Sequence, residues 1–296
     1  MSMLGSFEQV INAFLLDRRA SGLSPGTIAT YKVHLHTFAR WCQAHDVAFD
    51  QLTADYIRMF LAERQAQSQM RLIESYRRLR PFFRWVVAER YGADLMACVK
   101  HPKEPKRLMP ALTVSQVKML LALCSGESFV QRRDMALIRL LLDCGLRISE
   151  ALKLRLEDVD LDEGKIVIHS GKGRKDRVVY AGHRTRQTLV RYLRVRKAAL
   201  SHNLLFTNRE GLSLTRRHAH QQLARIARRA GIEGVRVSPH ILRHTFATWY
   251  LRNGGDVFSL QRLLGHASLS MTQRYLYLTE SDVSAAHEKF SPGQCV

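Results

Sequence analysis

A proline-rich basic segment constrains this chain more than any other feature of its sequence. Lys100–Pro110 contains three prolines and four Lys or Arg residues, and its apolar residues show no periodicity. Proline lacks a backbone donor and interrupts regular structure, so this composition is typical of an exposed, stiff linker. A chain of 296 residues is long enough for a domain on each side. We therefore predict a first domain at residues 1–100, a linker at 101–110 and a second domain at 111–296.

The spacing of apolar residues predicts that the first domain is helical. Ser24 and Pro25 form a typical helix start, because proline in the first turn gives up no hydrogen bond. Thr53 is a candidate cap for a second helix, and Leu72–Val86 carries a third, which Pro81 should kink or end early. The apolar positions that recur every three or four residues after Ser24 are Ile28, Tyr31, Leu35 and Phe38.

The second domain is predicted to be helical around one small antiparallel sheet. Met135–Leu142 is strongly apolar and is followed by Gly145, which should end that helix. Ile166–Ile168 and Val178–Tyr180 are β-branched runs on either side of a glycine-rich turn, the pattern of a hairpin, and Leu204–Phe206 is a candidate edge strand. Two further capped helix starts are expected at Thr113 and at Ser238–Pro239. The predicted fold class is mainly α with a small antiparallel β-sheet.

The net charge points to a polyanionic partner. The formal charge is +20, while 46% of the residues are hydrophobic, so the charge is carried on a folded body rather than on a disordered tail. Residues 1–103 contain 14 Lys or Arg and 9 Asp or Glu, which leaves +15 of the excess on residues 104–296. Nucleic acid is the first candidate partner and an anionic membrane surface is the second.

Cysteine usage and the N-terminus indicate where the protein acts. The five cysteines are odd in number and widely spaced, which fits a reducing cytoplasm better than secretion. No Cys or His cluster has zinc spacing, so we expect no structural metal. The N-terminus has no signal-peptide pattern and no apolar run reaches the ~20 residues of a membrane span. We expect a soluble cytoplasmic protein that does not span a membrane.

Several segments of the second domain carry residues suited to chemistry, although each also has an ordinary structural explanation. Arg147 is three residues from Glu150 and is suited to a surface ion pair, and Lys172 between two glycines suits a solvated hairpin tip. His240 and His244 have the spacing of a helical metal pair, but the glutamate of the zinc protease motif is missing. The other two residues of interest are His266, a typical helix-terminal histidine, and Tyr275, a typical half-buried core residue.

Taken together, these side chains suit reaction at a phosphodiester. Arg147 and Arg243 can clamp the charge that develops on the non-bridging oxygens, and imidazoles can donate to the same oxygens. A lysine can protonate the departing sugar oxygen, and a tyrosine phenol can act as a covalent nucleophile. With cations on the phosphate, no divalent metal or other cofactor is required, and the phosphotyrosine would preserve the energy needed for rejoining.

In these motifs the chain resembles the tyrosine recombinases of the phage-integrase family, and in length it is most similar to the compact Xer-like members. The matching motifs are Gly145-Leu146-Arg147-Ile148-Ser149-Glu150, Gly171-Lys172-Gly173, His240-Ile241-Leu242-Arg243-His244, Leu263-Leu264-Gly265-His266 and Thr272-Gln273-Arg274-Tyr275, with Thr27–Trp41 resembling the opening of the core-binding domain. The resemblance implies a SAM-like helical core-binding domain and a catalytic domain that form a C-shaped clamp on double-stranded DNA.

The resemblance also implies residue roles and assembly. Arg147, His240, Arg243 and His266 would activate the scissile phosphate, Lys172 would be the general acid, and Tyr275 would be the nucleophile of a 3′-phosphotyrosyl intermediate. Four protomers would act on two DNA sites through a Holliday junction, as a homotetramer or together with a paralogous recombinase. The biological outcome would be integration or excision of a mobile element, or resolution of replicon dimers.

The sequence leaves some alternatives open. Tyr277 lies two residues after Tyr275, where family members often carry a histidine, and it is the second candidate nucleophile. Glu150 and His244 are either supporting residues of the site or an ordinary salt bridge and a buried histidine. The segment 281–290 docks either on its own domain or on a neighbouring protomer. Base contacts are sought among the arginines of 71–80 and the segment 215–229, where a solvated basic face is equally consistent. Alternative functions are type IB topoisomerase-like relaxation and non-catalytic DNA-binding regulation.

Overall fold

The computed structural model describes residues 6–103, 110–169, 176–196, 203–266, 268–273, 275 and 287–288. The backbone forms two compact units, Met1–Arg107 and Leu108–Val296. Each has its own cluster of buried apolar side chains. Within the described residues, no helix combines the length and apolarity that crossing a membrane requires. The fold is mainly helical with one small antiparallel sheet, which confirms the predicted class.

The described part of the first unit is built from four helices. These are α1 (Phe7–Ala20), α2 (Pro25–Ala44), α3 (Ala54–Gln67) and α4 (Gln69–Ala88), with a single 3-10 turn at Phe49–Gln51. The Ser24 hydroxyl accepts the N–H of Thr27, and the predicted apolar stripe of α2 is buried. Thr53 precedes α3 as predicted, but its side chain makes no capping hydrogen bond. The start of α3 therefore depends on packing rather than on its cap.

Pro81 neither ends α4 nor shortens it, so the expected early end was wrong, while the alternative expectation of a kink stays a prediction. The helix continues from Gln69 to Ala88 with Pro81 inside it. A proline inside a helix costs about 3 kcal/mol or more. Phe82 and Phe83 directly after it are each 1% exposed, and each buried aromatic side chain contributes about 1.5–3 kcal/mol. Burial on this side of the helix offsets the lost backbone hydrogen bond.

The second unit contains the remaining elements. Its helices are α5 (Val114–Ala122), α6 (Phe129–Cys144), α7 (Ile148–Ala151), α8 (His183–Leu193), α9 (Arg216–Arg229), α10 (Pro239–Arg252), α11 (Val257–Leu264) and α12 (Ser270–Gln273), with a 3-10 turn at Leu156–Asp158. The apolar helix α6 packs against both α8 and α10. Thr113 and Ser238 cap α5 and α10 through their hydroxyls, as predicted.

The predicted hairpin is present, but the predicted edge strand is not. Strand β1 (Lys165–Ile168) pairs with β2 (Arg177–Tyr180) in antiparallel register, with Ile168 opposite Arg177. Leu204 forms only an isolated antiparallel bridge to Arg155. The two segments pair at this single position and do not run side by side as strands. The hairpin turn with Gly171, Lys172 and Gly173 lies outside the described residues.

Candidate active site

A glycine and a short helix position Arg147. Gly145 ends α6 with a φ of +61°, and a Cβ there would lie 2.2 Å from the ring of Phe246, so glycine is required. Arg147 is the residue that precedes α7. Glu150 accepts hydrogen bonds from the Arg147 N–H at 2.8 Å and from Arg147 Nη1 at 2.9 Å. The carboxylate thus fixes both the backbone and the guanidinium of Arg147.

Arg243 lies on α10 and is almost fully buried. Its Nη1 donates to the carbonyl of Gly145 at 2.8 Å and its Nη2 to the carbonyl of Leu264 at 2.7 Å. Arg147 Nη1 also donates to the Leu264 carbonyl, at 3.3 Å. Burial, assisted by the charge of Arg147, lowers the pKa of Arg243 to about 10. Arg243 therefore stays protonated at neutral pH and joins the end of α6 to the end of α11.

A third arginine, Arg177 on β2, completes this cluster. It donates from Nη1 and Nη2 to the two carboxylate oxygens of Glu150, at 3.1 and 2.8 Å, and from Nε to the carbonyl of Leu263 at 2.8 Å. Burial raises the pKa of Glu150, but hydrogen bonds from Arg177 and Arg147 outweigh this and lower that pKa to about 2. Glu150 is therefore ionised and orients two guanidinium groups at once.

His266 follows Gly265 at the end of α11. Its Nε2 lies 3.1 Å from Arg243 Nη2, and its Nδ1 lies 2.9 Å from the hydroxyl of Thr272. A guanidinium can only donate, so Nε2 acts as the acceptor and the ring proton is on Nδ1. The structure thereby assigns a neutral tautomer to His266, with its lone pair directed at Arg243.

The ring of Tyr275 lies beside two imidazoles. Its centroid is 6.3 Å from that of His266, with the rings nearly parallel, and 5.2 Å from that of His244. Tyr275 is half-buried and packs against the small apolar cluster of Ala247, Leu260 and Leu264. The phenol is therefore held among the imidazole groups of α10 and of the segment after α11.

His240 lies in the first turn of α10 and is exposed. Partial burial of its ring lowers its pKa below 6.5, and the charges of His220, Arg243 and Arg147 lower it further. His240 is accordingly neutral at pH 7, where one ring nitrogen can donate and the other can accept.

Comparison with known proteins identifies the family. The model of the phage integrase family matches residues 110–281, and that of the phage integrase N-terminal SAM-like domain matches residues 11–90. This chain belongs to the phage integrase family. The tyrosine recombinase XerD of Shewanella oneidensis is 34% identical, with 96% of this chain and 97% of that protein covered. XerD of Proteus mirabilis is 32% identical, with 96% and 92% covered.

Solved structures agree with this assignment at the level of the fold. The XerH site-specific recombinase bound to a palindromic difH substrate has a TM-score of 0.75 and 24% identity, covering 94% of this chain and 82% of that one. The predicted class, a tyrosine-type site-specific recombinase, is confirmed by the family and its relatives. The roles of individual residues in this recombinase stay predictions.

The structure brings most of the predicted site residues of the recombinase together. Arg147, Arg243 and His266 are linked through Glu150 and the carbonyl of Leu264, and Tyr275 lies beside His266. Lys172 and Tyr277 lie outside the described residues, so the general acid and the choice between two tyrosines stay predictions. Glu150 does form the ordinary helical ion pair with Arg147, and it also holds Arg177.

Sequence reasoning missed two residues that build this site. The sequence analysis assigns no role to Arg177. An arginine on a short strand beside the lysine turn could have suggested an acidic partner, which the structure shows to be Glu150. Thr272 was noted only as part of the tyrosine segment, yet its hydroxyl fixes the tautomer of His266. Neither contact is visible in sequence spacing, because the partners lie on separate elements.

The three guanidinium groups differ in exposure, and therefore in which groups they can contact. The side chain of Arg147 is 25% exposed, whereas those of Arg177 and Arg243 are 10% and 6% exposed. Three guanidiniums surround the single carboxylate of Glu150, so an excess of positive charge remains for an anion. Arg147 is the most accessible of the three to a phosphate, and the two buried arginines hold the surrounding backbone in place.

Proposed function

We propose that this protein binds double-stranded DNA and exchanges strands between two specific sites through a covalent bond between Tyr275 and a 3′-phosphate. The observation that carries this proposal is the linked set of Arg147, Arg243 and His266 beside the Tyr275 ring. These residues come from four separate segments of the chain. Their arrangement presents cationic donors and a phenol to one anionic group.

The proposed step breaks one phosphodiester bond and forms another. The Tyr275 oxygen attacks phosphorus, and its proton passes to a neutral imidazole or to water. Arg147, Arg243 and His240 stabilise the charge on the non-bridging oxygens, and His266 supports Arg243 through the contact between its Nε2 and Arg243 Nη2. The bond from phosphorus to the sugar O5′ breaks, and Lys172 protonates the leaving oxygen. Rejoining reverses these transfers, so the reaction needs neither ATP nor a metal.

Exposed arginines on α9 support binding to the DNA backbone. Arg216, Arg217, Arg225, Arg228 and Arg229 are all exposed, and α9 contains no acidic residue. In the first unit, Arg71 and Arg77 are exposed. Arg78 packs over the ring of Tyr31 and Arg80 donates to the hydroxyl of Tyr76. Of the candidates on α4, Arg71 and Arg77 are thus the exposed ones, and Arg71 also donates to the side-chain oxygen of Gln67 at 2.6 Å.

The assembly and domain roles belong to the same proposal. Residues 1–100 form the core-binding domain, 101–110 the linker and 111–296 the catalytic domain. Four copies act on two duplexes in the cytoplasm through a Holliday junction, as a homotetramer or with a paralogous recombinase. Integration or excision of a mobile element and resolution of replicon dimers both use this exchange.

A covalent-adduct assay tests the proposal. The full chain selects its site from a random duplex pool, and a nicked copy of that site is then incubated with protein in the presence of EDTA. We expect a protein–DNA adduct on a denaturing gel from the wild type and from Tyr277→Phe, and none from Tyr275→Phe. Adduct formation by Tyr275→Phe would contradict the assignment. Relaxation of an arbitrary supercoiled plasmid without recombinant products would favour the topoisomerase alternative.

A further inference from the structure

An imidazole connects the two ends of the segment that contains Lys172. His169 directly follows β1 and Asp176 directly precedes β2. His169 Nδ1 lies 2.8 Å from Asp176 Oδ2, and His169 Nε2 lies 3.1 Å from Asp158 Oδ1. Both ring nitrogens thus face carboxylates from different elements. The cluster of arginines around Glu150 does not explain this arrangement.

The geometry of this bridge requires a proton. An ionised carboxylate only accepts hydrogen bonds, and a neutral imidazole has one N–H, so two such bonds at once need the imidazolium form. Asp158 is only 7% exposed and its other oxygen accepts the N–H of Arg155 at 2.8 Å, which holds it as an acceptor. Asp176 and Asp158 are the two carboxylates that face His169, and the hydrogen bond with Asp176 is the main cause that raises the pKa of His169 above 6.5.

The bridge lies directly outside the last paired position of the hairpin. The last paired position of the hairpin is Ile168 opposite Arg177, and Arg177 holds Glu150. His169 and Asp176 are the next residues outward, and residues 170–175 follow. Asp158 ends the 3-10 turn Leu156–Asp158, so the bridge also ties the hairpin to a second element. Among the residues described, no group of His, Cys, Asp or Glu has the arrangement of a metal site.

We propose that protonated His169 is a positioning residue for the general-acid step, because it joins Asp176 to Asp158 and thereby fixes the two chain positions that flank residues 170–175. This inference rests on the proposed role of Lys172 as the general acid. His169 itself does not contact the reacting phosphate. Loss of its proton breaks one of the two hydrogen bonds, and protonation of the leaving oxygen by Lys172 then becomes slower.

The test compares two substrates that differ in their need for a general acid. One is the nicked site DNA selected by the protein, and the other is the same DNA with sulfur in place of the bridging O5′. A thiol has a pKa of about 8.5, so a thiolate leaves without protonation, whereas the sugar alkoxide does not. The ratio of the two cleavage rates therefore reports on the step assigned to Lys172.

His169→Gln removes the charge and one of the two donor nitrogens. General acid–base catalysis contributes about 10²–10⁴-fold, and we expect this variant to lose about tenfold on the oxygen substrate. Its rate on the sulfur substrate should equal that of the wild type. The matched control is His183→Gln, because His183 is also exposed and its ring contacts only Gln187 among the hydrogen bonds described. The control should cleave both substrates at wild-type rates.

A pH profile distinguishes this positioning role from a general loss of stability. For the wild type, the oxygen-to-sulfur rate ratio should be constant at low pH and fall as the pH rises through the pKa of His169, which lies above 6.5. His169→Gln should remove this fall. Asp176→Asn, which weakens the shorter bond, should move it to lower pH.

The outcomes separate this inference from the proposed function. If the wild type cleaves both substrates and His169→Gln retains the wild-type ratio and pH profile, the role of His169 is wrong and the recombinase mechanism stands. An equal loss by His169→Gln on both substrates would also overturn it, because the defect would then lie outside the general-acid step. If the wild type cleaves neither substrate, the proposed function itself fails.

Discussion

Glu150 binds Arg177 through both carboxylate oxygens, at 3.1 and 2.8 Å, although 27 positions separate the two residues. The same carboxylate holds the backbone and the guanidinium of Arg147. The helix that follows the first arginine motif and the strand that follows the lysine turn therefore meet at one acidic side chain. This relationship makes the stability of the catalytic domain depend on the ionisation of Glu150.

Glu150→Gln should destabilise the protein and change its acid denaturation. The folded-state pKa of Glu150 is about 2, against an ordinary value of 4.5. Because this pKa is lowered, the ionised carboxylate contributes stability above about pH 4.5 and loses it as the pH falls towards 2, by about 3 kcal/mol in all. Chemical denaturation at several pH values should show this loss for the wild type. Glu150→Gln should lack the contribution throughout, whereas Glu157→Gln, which alters an exposed pair, should retain it.

Arg177→Lys should weaken the site although it preserves the charge. Lysine has one ammonium group and cannot contact both Glu150 oxygens and the Leu263 carbonyl with the planar fork that arginine provides. A Cβ added at Gly265 would lie only 3.0 Å from Arg177 Nη1, so a lysine side chain at position 177 has little room to rearrange. We expect cleavage to slow by about tenfold, because Glu150 and Arg147 would be less well oriented and correct orientation contributes to the rate of the reaction. Arg155→Lys, at an exposed ion pair, should leave the rate unchanged, and equal rates for both variants would contradict this role.

Thr272→Val should affect His266 without altering side-chain size greatly. The fully buried Thr272 hydroxyl accepts the Nδ1 proton, and its removal takes away the contact that fixes the tautomer. We expect cleavage to slow by about tenfold and the unfolding free energy to fall by about 1 kcal/mol. Thr272→Ser keeps the hydroxyl and should therefore cleave at the wild-type rate. Thr207→Val is the matched control, because this buried hydroxyl has no hydrogen-bond partner among the described residues.

Asp134→Asn should destabilise the catalytic domain away from the site. Arg133 and Asp134 are 2% and 6% exposed, and Asp134 accepts from Arg133 at 3.0 and 2.8 Å and from Gln222 at 2.8 Å. Removing the negative charge leaves the buried guanidinium uncompensated, which costs about 3–5 kcal/mol. Chemical denaturation measures this loss. Asp55→Asn breaks an exposed pair and should cost less than about 1 kcal/mol; a similar cost for both variants would refute the distinction.

Arg225→Gln should change the salt dependence of DNA binding. Arg225 is exposed on α9, where no acidic residue competes for it. If it contacts a phosphate, the slope of log K against log salt should fall by about 1. Fluorescence anisotropy on the selected site and on an unrelated duplex should then show an equal loss of affinity. An unchanged slope would remove Arg225 from the DNA-binding surface, and a loss confined to the selected site would indicate base contact.

Local patterns made much of the fold predictable. The cap at Ser24, the three-and-four spacing of α2 and the β-branched runs of the hairpin are all confirmed, because each depends on residues adjacent in sequence. The expected early helix end at Pro81 and the expected edge strand at Leu204 were wrong for a common reason. Burial against distant residues keeps α4 helical through Pro81. The segment at Arg155 pairs with Leu204 at one position only, which limits Leu204 to a single bridge.

Motifs and short-range periodicity were enough to identify the family, the helical class and the reactive residue types. The groups that hold those residues in place became visible only in the folded chain. Arg177 and Thr272 act on Glu150 and His266 through contacts between separate elements, and His169 meets Asp158 and Asp176 in the same way. The reason is physical: hydrogen bonds and charge interactions depend on distances in space, and spacing along the chain specifies such distances only within one helix or one hairpin.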